Sequence, residues 1–392
     1  MKKSCQKYGF FSLLFCMAVI FNFFAHTSEF AGTINSRLPR GSSILNIINL
    51  DIGIPFKNTA VQTVSGINVV PGGQSIGIVM HSRGIMVVGM SDIVDESGNR
   101  YNPAEEAGLK IGDIILSVNG KQINNEFHLR NEIVSCGKNK KNVELEVKRG
   151  GKKLKVSVKT VNCIETGRPR IGLYVRDSAS GVGTLSFYHP ETGIYGALGH
   201  IITDVDTAKG VDLGDGKIVE AQIRAIHRGK KGSPGEKIGM FVENGTLSGN
   251  IERNCHYGIF GKLVTPLQNP YYPTAVPVAL SHQVKTGPAE ILTVIEGTEI
   301  KKYSVDVQEV FYPWSNQGKG LVIKVTDNEL IKNTGGIIQG MSGSPIMQND
   351  MLIGVVTHVF INDPLRGYGI LAEWMLKEIG IKNSDKSPQK AS

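Results

Sequence analysis

Between about residue 170 and residue 370 the chain consists of short apolar runs that recur roughly every 8–12 residues, each closed by Gly or Pro. That rhythm excludes a helical bundle, because a buried helix needs apolar residues at i, i+3, i+4 and i+7 sustained over about a dozen positions. In this stretch such spacing is kept chiefly at Leu371–Ile379. The expected fold class is therefore mainly β, a barrel or sandwich closed by a C-terminal helix. Composition agrees: 47 of 392 residues are Gly, nearly twice the ordinary ~7%, and only 7% are aromatic.

The N-terminus is different in kind. Lys2, Lys3 and Lys7 precede an uncharged run, Tyr8 to Ala25, rich in Phe and Leu. As a helix it would extend about 27 Å, close to the ~30 Å of bilayer hydrocarbon. It reads as an export segment, either a signal peptide or a membrane anchor with its lysines inside, and no clear A-x-A site follows it. The rest of the chain is expected outside the cytoplasm. Beyond this segment only Cys136, Cys163 and Cys255 remain, so one disulfide at most can form. With neither C-x-x-C nor H-E-x-x-H, no metal site and no cofactor is expected.

The formal net charge is +8, yet the Lys-rich stretch Lys138–Lys155 has no interleaved aromatics for base stacking. It reads as a solvated hairpin face, and nucleic acid is not an expected partner. Arg228–Lys237 looks like a phosphate loop but lacks G-K-[ST], so it reads as a mobile surface loop. The expected organisation is an export segment at 1–26, a polar stalk at 27–65, one compact domain at 66–162, a second at 163–382, and a disordered polar tail at 383–392.

Within the first domain, Gly84–Gly89 is a predicted buried strand. Asn125–Cys136 has helical spacing through Leu129, Ile133 and Cys136, and Val143–Lys148 and Lys153–Lys159 flank Arg149-Gly150-Gly151 as a hairpin. Pro103 suits a helix start, Gly108 a helix end and Asn119-Gly120 a tight turn. The string from Asn102 to Lys121, with Pro103-Ala104, Ala107-Gly108-Leu109, Gly112-Asp113 and Asn119-Gly120, resembles the bacterial PDZ signature. That resemblance implies an α+β domain that recognises a peptide by strand addition and holds its terminal carboxylate with backbone N–H groups. Pro71–Ile78 is the candidate carboxylate loop, with Gly73, Ser75, Ile76, Gly77 and Ile78 as its ligand-facing residues. It departs from the usual motif, and an ordinary turn leading into the domain is the other reading.

The second domain carries the chemistry. A serine hydroxyl becomes a nucleophile only on a sharp turn that exposes Oγ, beside backbone N–H groups for the oxyanion and within reach of a base. Gly340-Met341-Ser342-Gly343-Ser344-Pro345-Ile346 offers the turn, and the Gly340 and Ser342 amides are the candidate oxyanion donors. The string resembles the G-x-S-G-[GS]-P of chymotrypsin-like serine peptidases. The base candidate is His200, delivered by the small-residue strand Tyr195–Gly199 in the same His-before-Ser order. His358, on the strand after the nucleophile, is the competing histidine and reads as lining the substrate site. For the residue that orients the imidazole, Asp327 ends the strand Leu321–Thr326. A helix cap is the other reading of Asp327, and Asp204, Asp206 and Asp363 stay open.

Taken together, residues 196–206, 335–346 and 357–364, behind an export segment and a PDZ-like block, resemble the stage IV sporulation protein B peptidase family. In that family the His of the G-H segment, the Asp fifteen positions before the serine and the first Ser of G-M-S-G-S-P form a triad. These map onto His200, Asp327 and Ser342. The resemblance implies a serine endopeptidase exported into the space between the two membranes of the sporangium. There it would cleave a membrane-held regulatory protein and so release an intramembrane protease in pro-sigma-K processing. Its partners would be that protein substrate, a peptide or C-terminal ligand of the PDZ domain, and its own copies, with self-cleavage under PDZ control. Two features depart from ordinary chymotrypsin-like enzymes: Asp327 lies close to the serine in sequence, and Met341 stands where an Asp usually precedes the nucleophile. The rival expectation is a non-catalytic PDZ adaptor that keeps a peptidase-like barrel.

Overall fold

The computed structural model describes residues 66–139, 141–242, 245–311 and 319–381. The expected export segment, the stalk and the tail lie outside the described residues. Strand β1 (Asn68–Pro71) passes through a short turn into β2 (Ser75–Met90), which is 16 residues long. At ~3.3 Å per residue such a strand spans about 50 Å, more than one small core needs. Its first half places Ile76, Ile78 and Met80 in a core with Leu185, Tyr195 and Ile218. Its second half places Ile85 and Val87 in another core, with Ala104, Leu109, Ile115, Leu129 and Leu145.

That second core is the block with the PDZ signature. Helix α1 (Pro103–Glu106) is capped by Asn102, and Gly108 follows it at φ 80°. Next come β3 (Ile114–Val118), α2 (Glu126–Lys138, capped by Asn125), β4 (Val143–Arg149) and β5 (Lys152–Val158). Gly150 and Gly151 turn the hairpin between β4 and β5 at positive φ, as Asn119 and Gly120 do after β3. The chain then returns along β6 (Leu173–Tyr188), again 16 residues, antiparallel to β2 from Leu173↔Met90 to Thr184↔Ser75.

The PDZ block is thus spliced between the two arms of one long hairpin. Residues 66–82 pack and pair with the lobe that follows the PDZ block. The lobe continues with β7 (Ile194–Ala197), β8 (Leu213–His227), β9 (Glu236–Val242) and β10 (Gly258–Lys262). These strands and the PDZ strands share one 14-stranded sheet. Six further strands are β11 (Gly287–Thr293), β12 (Lys301–Val310), β13 (Leu321–Val325), β14 (Pro345–Gln348), β15 (Met351–Phe360) and β16 (Asp363–Leu371). They close a barrel in the order β11-β12-β13-β16-β15-β14. Helix α3 (Asn328–Thr334) lies between β13 and β14, and α4 (Ala372–Glu378) buries Trp374, Met375 and Leu376 in the same core. The mainly β class and the C-terminal helix are as the sequence predicts; the closed barrel covers only the last third of the described chain.

Candidate active site

Ser342 sits in the turn between α3 and β14, at the seam of the two lobes. Gly340 has φ 89° and Gly343 φ 96°, a region that costs any residue with a Cβ. A Cβ at position 343 would lie 2.0 Å from the Thr184 carbonyl oxygen and 2.6 Å from the Leu198 nitrogen. Only glycine lets the turn press onto β6 and onto the strand that leads to His200. Met341, fully buried in the barrel core, anchors the turn from beneath. Its carbonyls are tied back: Thr184 N donates to Ser342 O (3.0 Å) and Thr184 Oγ1 to Gly340 O (2.7 Å). Gly343 N donates to Val356 O at 2.7 Å. Among the described residues, the Gly340 and Ser342 N–H groups make no hydrogen bond. Donors left unpaired beside a nucleophile are what an oxyanion needs.

His200 arrives by a backbone twist, Leu198 at φ 68° and Gly199 at φ 72°, with Gly199 pressed against Val355 and Thr357. Its ring packs on that of His358, centroids 4.9 Å apart. Nδ1 lies 2.9 Å from the Ile201 carbonyl oxygen, which can only accept, so Nδ1 carries the proton and Nε2 keeps its lone pair. Burial lowers the His200 pKa below its ordinary 6.5, against an opposing pull from that carbonyl. His358 is pushed down to about 4, by desolvation of its packed side first and then by His200 and Lys319. Both rings are neutral at pH 7.

Ser342 Oγ donates to the Thr357 carbonyl at 2.6 Å. The structure therefore sets Ser342 on Thr357 and the His200 ring on His358, adjacent residues of β15, with the hydroxyl proton turned to Thr357 and not to Nε2. Rotation of Ser342 about Cα–Cβ is the movement that would redirect it.

Asp327 is not brought to this site. Its Oδ1 accepts from Leu330 N at 2.9 Å as the N-cap of α3, and its Oδ2 faces Ser304 N at 3.4 Å. Asp ranks with Asn and Ser as the favoured N-caps, and here one carboxylate oxygen serves the cap while the other faces β12. The alternatives fare no better: Asp204 and Asp206 pair with Arg176, and Asp363 begins β16 opposite Phe360. The atom that orients the imidazole is the carbonyl of Ile201, which no side-chain pattern signals.

Two further corrections concern loops. Arg228–Lys237 joins β8 to β9 as a hairpin, His227 paired with Glu236, and its last residue Lys237 is only 5% exposed. Ile238 and Met240, its neighbours in sequence, are exposed instead, a pattern opposite to hydropathy. The proposed carboxylate loop is not a ligand loop either. Gly72 N and Gly73 N donate to the Ser186 and Leu185 carbonyls, and Ser75, Ile76 and Ile78 are buried in β2 of the peptidase lobe, with Gly77 beside them. Their amides are used in sheet pairing.

A groove of PDZ type is found elsewhere, between α2 and the start of β6. Leu129, Arg130 and Ile133 line one side; Pro169, Arg170, Ile171, Gly172, Leu173 and Val175 line the other. Leu173–Arg176 pairs with β2 along one edge, and among the described residues no strand takes the other. Asp177 accepts from Glu126 N at 2.9 Å and pins α2 across that open edge. An extended peptide can add there, with Arg130 and Arg170 as cations for a carboxylate.

A family profile described as SpoIVB peptidase S55 matches residues 167–376. The chain belongs to the SpoIVB peptidase S55 family. It is a serine peptidase with a PDZ domain, whose own profile matches residues 51–160. Residues 66–82, which pack with the peptidase lobe, fall within the PDZ profile and not the peptidase profile. Among solved structures, the Rv3671c protease of M. tuberculosis in its active form is 15% identical, covers 52% of this chain and 76% of its own, and has a TM-score of 0.28. Its inactive form is 16% identical over 51% and 85%, with a TM-score of 0.27. A PDZ domain of an SdrC-like protein from Listeria monocytogenes is 24% identical over 24% of this chain and 87% of its own, with a TM-score of 0.19. No curated protein matches the chain.

Proposed function

We propose that this S55 peptidase is an exported endopeptidase of sporulation signalling. It cleaves a membrane-held regulatory protein, triggers an intramembrane protease in pro-sigma-K processing, and cuts itself under the control of its PDZ domain. The apolar segment Tyr8–Ala25 behind three lysines supports export, and the family name supports sporulation. The observation that carries the catalytic part is that Ser342, on a turn with two N–H groups unpaired among the described residues, rests on Thr357, while a neutral His200 whose tautomer leaves Nε2 free packs on the next residue, His358.

With Ser342 rotated toward it, His200 Nε2 takes the hydroxyl proton as Oγ attacks the scissile carbonyl. The Gly340 and Ser342 amides receive the oxyanion, and His200 then protonates the leaving amine. Water repeats the sequence to free the acyl group. Ile201 O holds the imidazole throughout and stabilises its charged form.

Ser342→Ala is expected to abolish both self-cleavage and substrate cleavage, by about 10⁴-fold or more, with PDZ peptide affinity unchanged. An aryl sulfonyl fluoride should label Ser342 in the native chain. Signalling that survives Ser342→Ala would replace the peptidase reading with that of a PDZ adaptor.

A further inference from the structure

Lys237 is buried directly behind the nucleophile turn, and the mechanism above does not use it. Its stem lies against Gly340, where an added Cβ would meet Lys237 Cβ, Cγ and Cδ at 3.1–3.2 Å, and its backbone N donates to Gln339 O at 3.0 Å. The amine meets only hydroxyls: Thr293 Oγ1 on β11 at 2.8 Å, Thr184 Oγ1 on β6 at 3.5 Å and Ser75 Oγ on β2 at 3.5 Å. Thr184, Thr293 and Ser344 are fully buried. None of these hydroxyls titrates near neutral pH, and among the described residues no carboxylate or imidazole acts on the amine.

The protons in this cluster can be counted. Thr184 gives its proton to Gly340 O, and Ser344 Oγ gives its own to Thr293 Oγ1 at 3.1 Å. Thr293 and Ser75 each retain a proton with no other acceptor in the cluster, and Thr293 is the nearer of the two to the amine. A neutral amine has two N–H donors and one lone pair: the lone pair can take the proton of Thr293, the nearest hydroxyl at 2.8 Å, while the N–H groups donate to Thr184 and Ser75. An ammonium would displace the Thr293 proton and add a buried charge without a counter-ion. We propose that Lys237 is a positioning residue that acts as a neutral amine. It closes a directed chain of hydrogen bonds, from Ser344 through Thr293, Lys237 and Thr184 to the Gly340 carbonyl, and that chain aims the Gly340 and Ser342 N–H groups at the oxyanion. Burial alone lowers the amine from 10.5 to about 7, consistent with this form. Met341 leaves no acid in the turn to take a charged amine, so the fold satisfies the turn with a neutral one.

The inference rests on the peptidase reading. Its test is the rate at which a fluorophosphonate labels Ser342 in the full chain between about pH 5 and 9, with thermal melting alongside. Since the neutral amine is the working form, wild-type labelling should fall as pH drops through the Lys237 value near 7, and again at a lower pH as His200 is protonated. Lys237→Met is expected to label about tenfold more slowly at high pH, to lose the upper step, and to melt no lower than wild type. Thr184→Val should slow labelling similarly, and the double variant no further. Labelling of Lys237→Met within about twofold of wild type, or with the upper step intact, would overturn the assignment. So would a lowered melting temperature that accounts for the slower rate. A wild type that is never labelled at Ser342 sinks the peptidase reading and this role with it, whereas a labelled wild type beside an unchanged Lys237→Met sinks this role alone.

Discussion

Lys237 has a cost that can be measured apart from catalysis. Its folded pKa of about 7 lies below the ordinary 10.5, so as pH falls from 10.5 toward 7 the unfolded chain takes up a proton that the folded chain refuses. Stability is lost across that window and levels off below it, by on the order of several kcal/mol. Lys237→Met should therefore raise the melting temperature at pH 7 and flatten its dependence on pH above 7, while slowing the enzyme. A variant more stable but slower is the signature of a group kept for function. Asp327 offers the opposite contrast. As a cap, Asp327→Ala should cost about 1 kcal/mol of stability and leave kcat within a few-fold. A fall of about 10⁴-fold in kcat with the melting temperature unchanged would instead place the carboxylate on the imidazole.

The nucleophile turn tolerates little change because backbone occupies the space around it. Gly343→Ala would drive its Cβ into the Thr184 carbonyl and require positive φ of alanine. A loss on the order of 3 kcal/mol is expected in chemical denaturation, together with loss of Ser342 labelling. The peptide groove depends on an edge and a helix, and it can be tested without touching either core. Arg130 lines it and pairs with Glu126 on the exposed face of α2. Arg130→Glu should weaken binding of a peptide with a free C-terminus by about tenfold, and an amidated peptide less, with stability changed by no more than about 0.5 kcal/mol. Equal loss for both peptides would show that the carboxylate is held elsewhere.

At the scale of the molecule, the long hairpin of β2 and β6 joins two cores and makes one of them removable. His81↔Ser178 and Met80↔Ala179 are paired just beyond the PDZ block. Replacing residues 84–175 by a short Asn-Gly turn should leave the peptidase lobes folded, as cooperative melting and protease resistance would report. A fragment beginning at residue 163 should not fold. It lacks Ile76, Ile78 and Met80, each contributing about 1.5–3 kcal/mol of burial, against a total stability of roughly 5–15 kcal/mol. The same continuity runs β6 from the peptide groove at Leu173–Val175 to Thr184 under the nucleophile turn.

Sequence alone was enough for features whose physics is local. Pro103, Gly108, Asn119-Gly120 and Arg149-Gly150-Gly151 each meet a backbone demand within a few residues. Gly340 and Gly343 declare a strained turn around Ser342, and the short apolar runs declare strands. Tertiary structure decided whatever depends on pairing between distant segments. Hydropathy cannot show that β2 changes cores at its midpoint, because Ile76 and Ile85 look alike until β6 and β3 lie beside them. Nor can it show that Lys237 points inward while Ile238 points out, that Asp327 turns its carboxylate to α3 and to Ser304 of β12, or that the Ile201 carbonyl holds His200. Those outcomes belong to strand register and lobe packing, where a displacement of one residue exchanges the buried face for the exposed one.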